Sequence, residues 1–170
     1  KLANFFWPGP LTMILKKKEN SNICPYVSNY KNLVGCRVPN HKIAQEILKV
    51  FNRPIAAPSA NISTKLSPTN INHLDNRLKK KIFTIDGGDC NLGLESTVIN
   101  LITDNPRILR YGSISEEEIR DIIPNLESDI FEDNNSLSPG KHFKHYSPNT
   151  PIRINISQVF EGEALLNFGL

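Results

Sequence analysis

Trp7-Pro8-Gly9-Pro10-Leu11-Thr12-Met13-Ile14-Leu15 is the stretch that decides the fold class. Two prolines around a glycine stop any helix, because proline lacks an amide donor and fixes its own φ. The apolar run that follows, closed by Lys16-Lys17-Lys18, reads as a strand. Outward from it, residues 33–38 form a second strand stopped by Pro39. Ile43, Ala44, Ile47, Leu48 and Phe51 recur at helical spacing and predict a helix over 41–51. Ile55-Ala56-Ala57 reads as a short buried strand running into Pro58-Ser59-Ala60-Asn61. Ser67-Pro68 reads as an N-cap with proline at the first helical position, opening a helix striped by Ile71, Leu74 and Leu78. Residues 82–85 are a strand closed by Asp86-Gly87-Gly88, and 96–102 and 107–111 are β-rich. Ser115 with Glu118 forms a capping box for a helix to about 123. Mixed strands and helices of this kind predict an α/β (α+β) fold, a twisted and largely single open sheet with flanking helices.

Pro124 ends that pattern. Residues 125–150 read as a linker, acidic and polar at first and then basic and aromatic over 139–148. Pro151-Ile152-Arg153-Ile154-Asn155-Ile156 alternates like a strand. The division expected is therefore 1–124, a linker over 125–150, and the start of a second domain over 151–170.

The chain has 170 residues, 39% of them hydrophobic and 22% charged, too apolar for a disordered chain and too polar for a membrane protein. No apolar run approaches the roughly 20 residues that span a bilayer. Cys24, Cys36 and Cys90 are odd in number and widely spaced, which argues against a disulfide framework and for a reducing cytoplasm. The net charge of +3 hides an asymmetry. Residues 1–85 hold 14 Lys/Arg against 3 Asp/Glu, and residues 86–170 hold 6 against 14. The basic half suggests a phosphate-bearing partner, whereas its lysine runs, such as Lys79-Lys80-Lys81, read better as solvated helix faces.

The chain contains no P-loop, no G-x-G-x-x-G, no G-x-S-x-G elbow and no H-E-x-x-H. His142 and His145 are spaced for a metal but have no thiolate or carboxylate beside them in sequence. What remains is a set of polar residues at strand ends and turns, namely Arg37, Ser59 with Asn61, Ser67, Glu95-Ser96-Thr97 and Arg110. Loops at strand ends are where open α/β sheets place ligands. The two arginine forks suit carboxylate or phosphate, and Arg37 suits a structural salt bridge as well.

Six segments in order carry a resemblance. They are Phe6-Trp7-Pro8-Gly9-Pro10-Leu11-Thr12, Gly35-Cys36-Arg37-Val38-Pro39, and Ala56-Ala57-Pro58-Ser59-Ala60-Asn61 with Ser67-Pro68-Thr69. Asp86-Gly87-Gly88, Gly93-Leu94-Glu95-Ser96-Thr97-Val98 and Leu109-Arg110-Tyr111-Gly112 complete them. Together they resemble the YrdC-like family of L-threonylcarbamoyladenylate synthases, and Pro139-Gly140 through Lys144-His145-Tyr146-Ser147-Pro148 resembles the interdomain linker of its two-domain form. The resemblance covers about residues 4–148.

It implies a nucleotidyltransferase. L-threonine, bicarbonate and ATP, with Mg²⁺ accompanying the ATP, give L-threonylcarbamoyl-AMP and pyrophosphate. The product serves tRNA N6-threonylcarbamoyladenosine formation through a separate transferase, in the cytoplasm, with some affinity for tRNA or double-stranded RNA. Residue by residue, it implies threonine binding by Arg37, Ser59 and Ser96. It implies ATP binding by Leu33, Asn61, Ser67 and Arg110, with Tyr146 closing over the nucleotide. No general base is assigned. Cys36 and Tyr111 stand where the family often has an aliphatic residue and proline. In the family a substantial portion with phosphate-binding cations precedes Trp-Pro-Gly-Pro. The chain is therefore expected to be an internal portion, or the product of a broken or split gene, without synthase activity alone. The alternative function is a non-catalytic double-stranded RNA-binding module built on the basic half.

Overall fold

The Pro8-Gly9-Pro10 turn separates a short helix, α1 (Leu2–Phe6), from the first strand, β1 (Leu11–Lys16). A Cβ on Gly9 would lie 2.3 Å from the Phe6 carbonyl oxygen, so only glycine lets the chain double back here. The Trp7 indole N–H donates to the Leu11 carbonyl at 2.7 Å and pins the helix to the strand. The computed structural model describes residues 1–28, 31–127 and 150–166.

β1 lies inside a mixed sheet of order β2-β1-β3-β4. β2 (Leu33–Cys36) runs antiparallel to it, with Met13 opposite Cys36. β3 (Thr97–Asn100) runs parallel to it, with Leu11 opposite Thr97, and β4 (Arg107–Arg110) returns antiparallel to β3. A parallel pair needs a long crossover, and the segment between β1 and β3 also carries β2, α2 (Lys42–Phe51) and α3 (Asn76–Lys79). α2 is capped by His41, whose Nδ1 accepts from the Ala44 amide, and closes on left-handed Asn52 at φ 52°. α4 (Glu116–Arg120) opens on the expected capping box, in which Ser115 and Glu118 each accept the other's amide.

Alternation along β1 divides the core in two. Leu11 and Met13 join Leu2, Ile99, Ile108, Ile114, Ile119 and Leu126 under α1 and α4. Ile14 points the other way, onto Val98 and Leu109, with Leu33 and Ile102 at the margin. Thr12 shares that second side and lies at the end of the strand where the turn enters.

Several expectations give way. Ile55-Ala56-Ala57 is exposed and forms no strand, because Pro54 and Pro58 flank it and remove the donors a ladder needs. Residues 82–85 form no strand either, and Phe83 is 91% exposed. Both sides of β1 are already taken by β2 and β3. Ser67 caps no helix. Asn70 caps a single 3₁₀ turn, Ile71–His73, and Asp75 caps α3, each side chain accepting from amides two residues on. Residues 151–156 pair with no strand among the described residues. β3 stops at Asn100, whose Oδ1 turns back to the Ile102 amide at 3.1 Å. Most of the expected linker, with Tyr146, His142 and His145, lies outside the described residues.

Candidate functional site

The turn and the strand ends hold the polar residues together. Gly9 donates its amide to the Val38 carbonyl at 2.8 Å and accepts Arg37 Nε on its own carbonyl at 3.0 Å. The Trp-Pro-Gly-Pro turn thus sets the arginine that leaves β2. Arg37 makes no other hydrogen bond among the described residues, so both terminal nitrogens of its fork are available. Crowding desolvates the guanidinium, and the Arg110 cation repels it, and both push its pKa down. It remains a cation at neutral pH. An anion placed at this pair relieves both penalties.

Arg110 ends β4, and all three nitrogens of its fork are engaged. Its Nε and Nη2 donate to the Ser96 carbonyl at 3.1 and 2.9 Å, and Nη2 also reaches Ser96 Oγ at 3.1 Å. Nη1 donates to Glu95 Oε2 at 2.7 Å. The other carboxylate oxygen, Glu95 Oε1, accepts from the Ser67 hydroxyl at 2.8 Å. Ser67 therefore serves this network and not a helix cap.

Ser96 is buried, and its hydroxyl lies 2.7 Å from Thr12 Oγ1. These two hydroxyls carry two protons between them, and the bond joining them uses one. Ser96 Oγ already accepts from Arg110. One proton of the pair is thus left to donate to a third group. A spare hydroxyl proton near two guanidinium groups suits a carboxylate or a phosphate.

Of the residues implied by resemblance, the structure brings Ser67, Ser96 and Arg110 into one hydrogen-bonded cluster and couples Arg37 to it electrostatically. It does not bring Ser59 or Asn61 into that cluster. Ser59 is exposed and makes no hydrogen bond among the described residues. Asn61 Nδ2 donates to the Ile62 and Lys65 carbonyls at 3.2 and 2.7 Å, and its Oδ1 is buried without a partner. Leu33 opens β2 opposite Lys16 and packs beside the second core cluster.

Sequence reasoning left Thr12 out of the site and gave Glu95, though singled out, no role in it. Thr12 is 84 positions from Ser96, and only the parallel β1–β3 pairing brings them together. Its signal was a lone polar residue in an otherwise apolar strand. Glu95 stands beside Ser96 in the singled-out triplet, and that adjacency was its only signal.

A family model, Sua5/YciO/YrdC, described as telomere recombination, matches residues 1–112. The threonylcarbamoyl-AMP synthase of Schizosaccharomyces pombe is 37% identical over 168 residues, covering 92% of this chain and 41% of the relative. That of Pyrococcus abyssi is 40% identical over 157 residues, covering 89% and 45%. The crystal structure of P. abyssi Sua5 complexed with L-threonine superposes with a TM-score of 0.69 at 44% identity, covering 74% of this chain and 36% of that one. The chain spans less than half the length of these relatives. The extent of these matches establishes that the chain belongs to the Sua5/YciO/YrdC family.

Proposed function

We propose that this chain carries part of the substrate site of an L-threonylcarbamoyl-AMP synthase. The observation that carries the reading is the open Arg37 fork beside Arg110 and the Thr12–Ser96 hydroxyl pair. A zwitterionic amino acid offers that cluster a carboxylate for the fork and a side-chain hydroxyl for the donors and acceptors around it. The relatives' names and the L-threonine complex of P. abyssi Sua5 support the choice of threonine. They also favour a synthase over the non-catalytic RNA-binding module.

In this reading the amine of threonine takes up bicarbonate with loss of water, and a carbamate oxygen attacks the α-phosphate of ATP. The bond to pyrophosphate breaks as the bond to the carbamate forms, giving L-threonylcarbamoyl-AMP. No side chain need form a covalent bond with the substrate. The chain's contribution is positioning and charge stabilisation, by Arg37 on the carboxylate and Arg110 toward the phosphates. Asn61 Oδ1, buried and without a hydrogen-bond partner among the described residues, is the acceptor we assign to the nucleotide, and Ser67, Leu33 and Tyr146 are assigned to the same substrate. Ser59, which the structure leaves outside the cluster, is assigned to the threonine side by the resemblance alone. Mg²⁺ belongs to the MgATP substrate, and among the described residues no group of three or more His, Cys, Asp or Glu forms a metal cage. The product serves tRNA N6-threonylcarbamoyladenosine formation through a separate transferase in the cytoplasm, and the basic half favours RNA. No helix among the described residues is long and apolar enough to cross a membrane.

Calorimetry of the 170-residue chain with L-threonine tests the reading. Saturable binding is expected, weakened at least about tenfold in Arg37→Ala, as for loss of a charge-assisted pair. Absence of saturable binding, or binding indifferent to Arg37, refutes it.

A further inference from the structure

We propose that Glu95 is a positioning residue of this site, its carboxylate tying Arg110 to Ser67 so that both present fixed atoms to the nucleotide. The proposal rests on the synthase reading only for what the two residues contact; the tie itself is independent of it.

The geometry is specific. Glu95 Oε2 accepts from Arg110 Nη1 at 2.7 Å, and Oε1 accepts from Ser67 Oγ at 2.8 Å. The two residues it joins are 43 positions apart, one ending a sheet strand and the other on a loop without regular structure. Among the described residues, no hydrogen bond joins Ser67 directly to Arg110. The carboxylate is what fixes that loop to the strand at this point.

Arg110 is turned inward by the same arrangement. Nε and Nη2 lie on the Ser96 carbonyl and Nη1 lies on Glu95, so the planar fork is held from two directions. Such a fork is pre-organised, and little rotamer freedom remains to be lost when a ligand arrives. The Glu95 and Arg110 side chains are 26% and 21% exposed, so the pair is partly shielded from water without being cut off from a ligand. Arg37 differs. It is anchored by one bond to the Gly9 carbonyl and makes no bond to Glu95 among the described residues. Removing the carboxylate therefore separates the two arginines. Arg110 loosens, and Arg37 stays.

The test uses the full chain carrying ¹⁵N-labelled arginine, read through the Nε–Hε signals. The Arg110 signal is assigned by its disappearance in Arg110→Lys, and that of Arg37 by Arg37→Lys. Glu95→Gln keeps the shape and the acceptor for Ser67 but removes the charge. The expected result is a shifted Arg110 signal whose solvent exchange is at least about fivefold faster, with Arg37 unchanged, as for a fork losing its charge-assisted partner. ATP affinity should fall about tenfold, and L-threonine affinity much less, because one charge-assisted bond to Arg110 is lost. Glu95→Asp, which keeps the charge on a shorter arm, should recover part of the Arg110 protection.

An Arg110 signal unaffected by Glu95→Gln overturns the proposal. So does loosening of both arginines together in Glu95→Gln and Glu95→Asp alike, which makes Glu95 a fold residue only. If the parent chain binds neither ATP nor threonine, the synthase reading fails, and the two arginine signals still decide the role of Glu95.

Discussion

Gly112→Ala adds one methyl group at the most crowded point of the site. The built Cβ would lie 2.3 Å from the Glu95 carbonyl oxygen, 2.4 Å from the Thr97 amide nitrogen and 2.6 Å from the Ser96 carbonyl carbon. All three are backbone atoms, so no side chain can swing aside. Ordinary contact begins near 3.4 Å, so the strands must part by about one ångström, an overpacking that costs about 1–3 kcal/mol. The same displacement stretches the bonds from Arg110 to the Ser96 carbonyl, now 2.9 and 3.1 Å. Charge-assisted bonds contribute about 1.5–3 kcal/mol each. Strain and partial loss of these bonds together give about 3–4 kcal/mol. With a urea dependence of about 2 kcal/mol per molar, the unfolding midpoint should fall by about 1.5–2 M. The single tryptophan, Trp7, reports the transition from the turn that abuts β1. Gly88→Ala is the control, since it has open space but a left-handed φ of 79°. That substitution should cost about 1 kcal/mol, or about 0.5 M. A Gly112→Ala midpoint no lower than that of Gly88→Ala would refute the reasoning.

Three further outcomes are expected. Ile119 is fully buried between α4 and the sheet, so Ile119→Ala should cost about 2–5 kcal/mol in the same urea titration. Ser115→Ala removes one half of the capping box and should cost about 1 kcal/mol, while Ser115→Asp, which keeps an acceptor, should cost less. The Arg77 guanidinium holds the Asp75 carboxyl down to about 2 from 3.8. A depressed carboxyl stabilises the fold above its unfolded value, and that contribution fades as pH falls from about 4 toward 2. Carbon-detected titration of Asp75 should therefore show a midpoint near 2, moving part of the way back toward the ordinary carboxylate range in Arg77→Ala, because the amide of residue 77 still donates to the carboxylate.

The sheet strands were legible where local pattern and tertiary pairing agree. β1 follows a helix-stopping turn, and Ser115 with Glu118 marks α4 without ambiguity. The two false strands, at 55–57 and 82–85, are apolar enough to be strands, but a strand exists only where a neighbour offers its edge. In sequence Ser67 reads as the cap, whereas Asn70 and Asp75 do the capping because their side chains accept from amides two residues on. The site was legible in part. Arg37, Ser67, Ser96 and Arg110 stand in motifs, whereas Thr12 joins them only through the β1–β3 register, which no local signal encodes. Glu95 was visible as a residue and hidden as a bridge, because Ser67 and Arg110, which it joins, lie 28 positions before it and 15 after.

The central claim is that L-threonine is recognised where the Trp-Pro-Gly-Pro turn meets the ends of β2, β3 and β4. Amide chemical-shift mapping of the ¹⁵N-labelled chain, titrated with L-threonine, tests it most directly. Perturbations are expected at Gly9, Thr12, Arg37, Ser96 and Arg110, saturating together, and absent in Arg37→Ala. Saturable shifts centred elsewhere, or none at these five residues, would contradict the account.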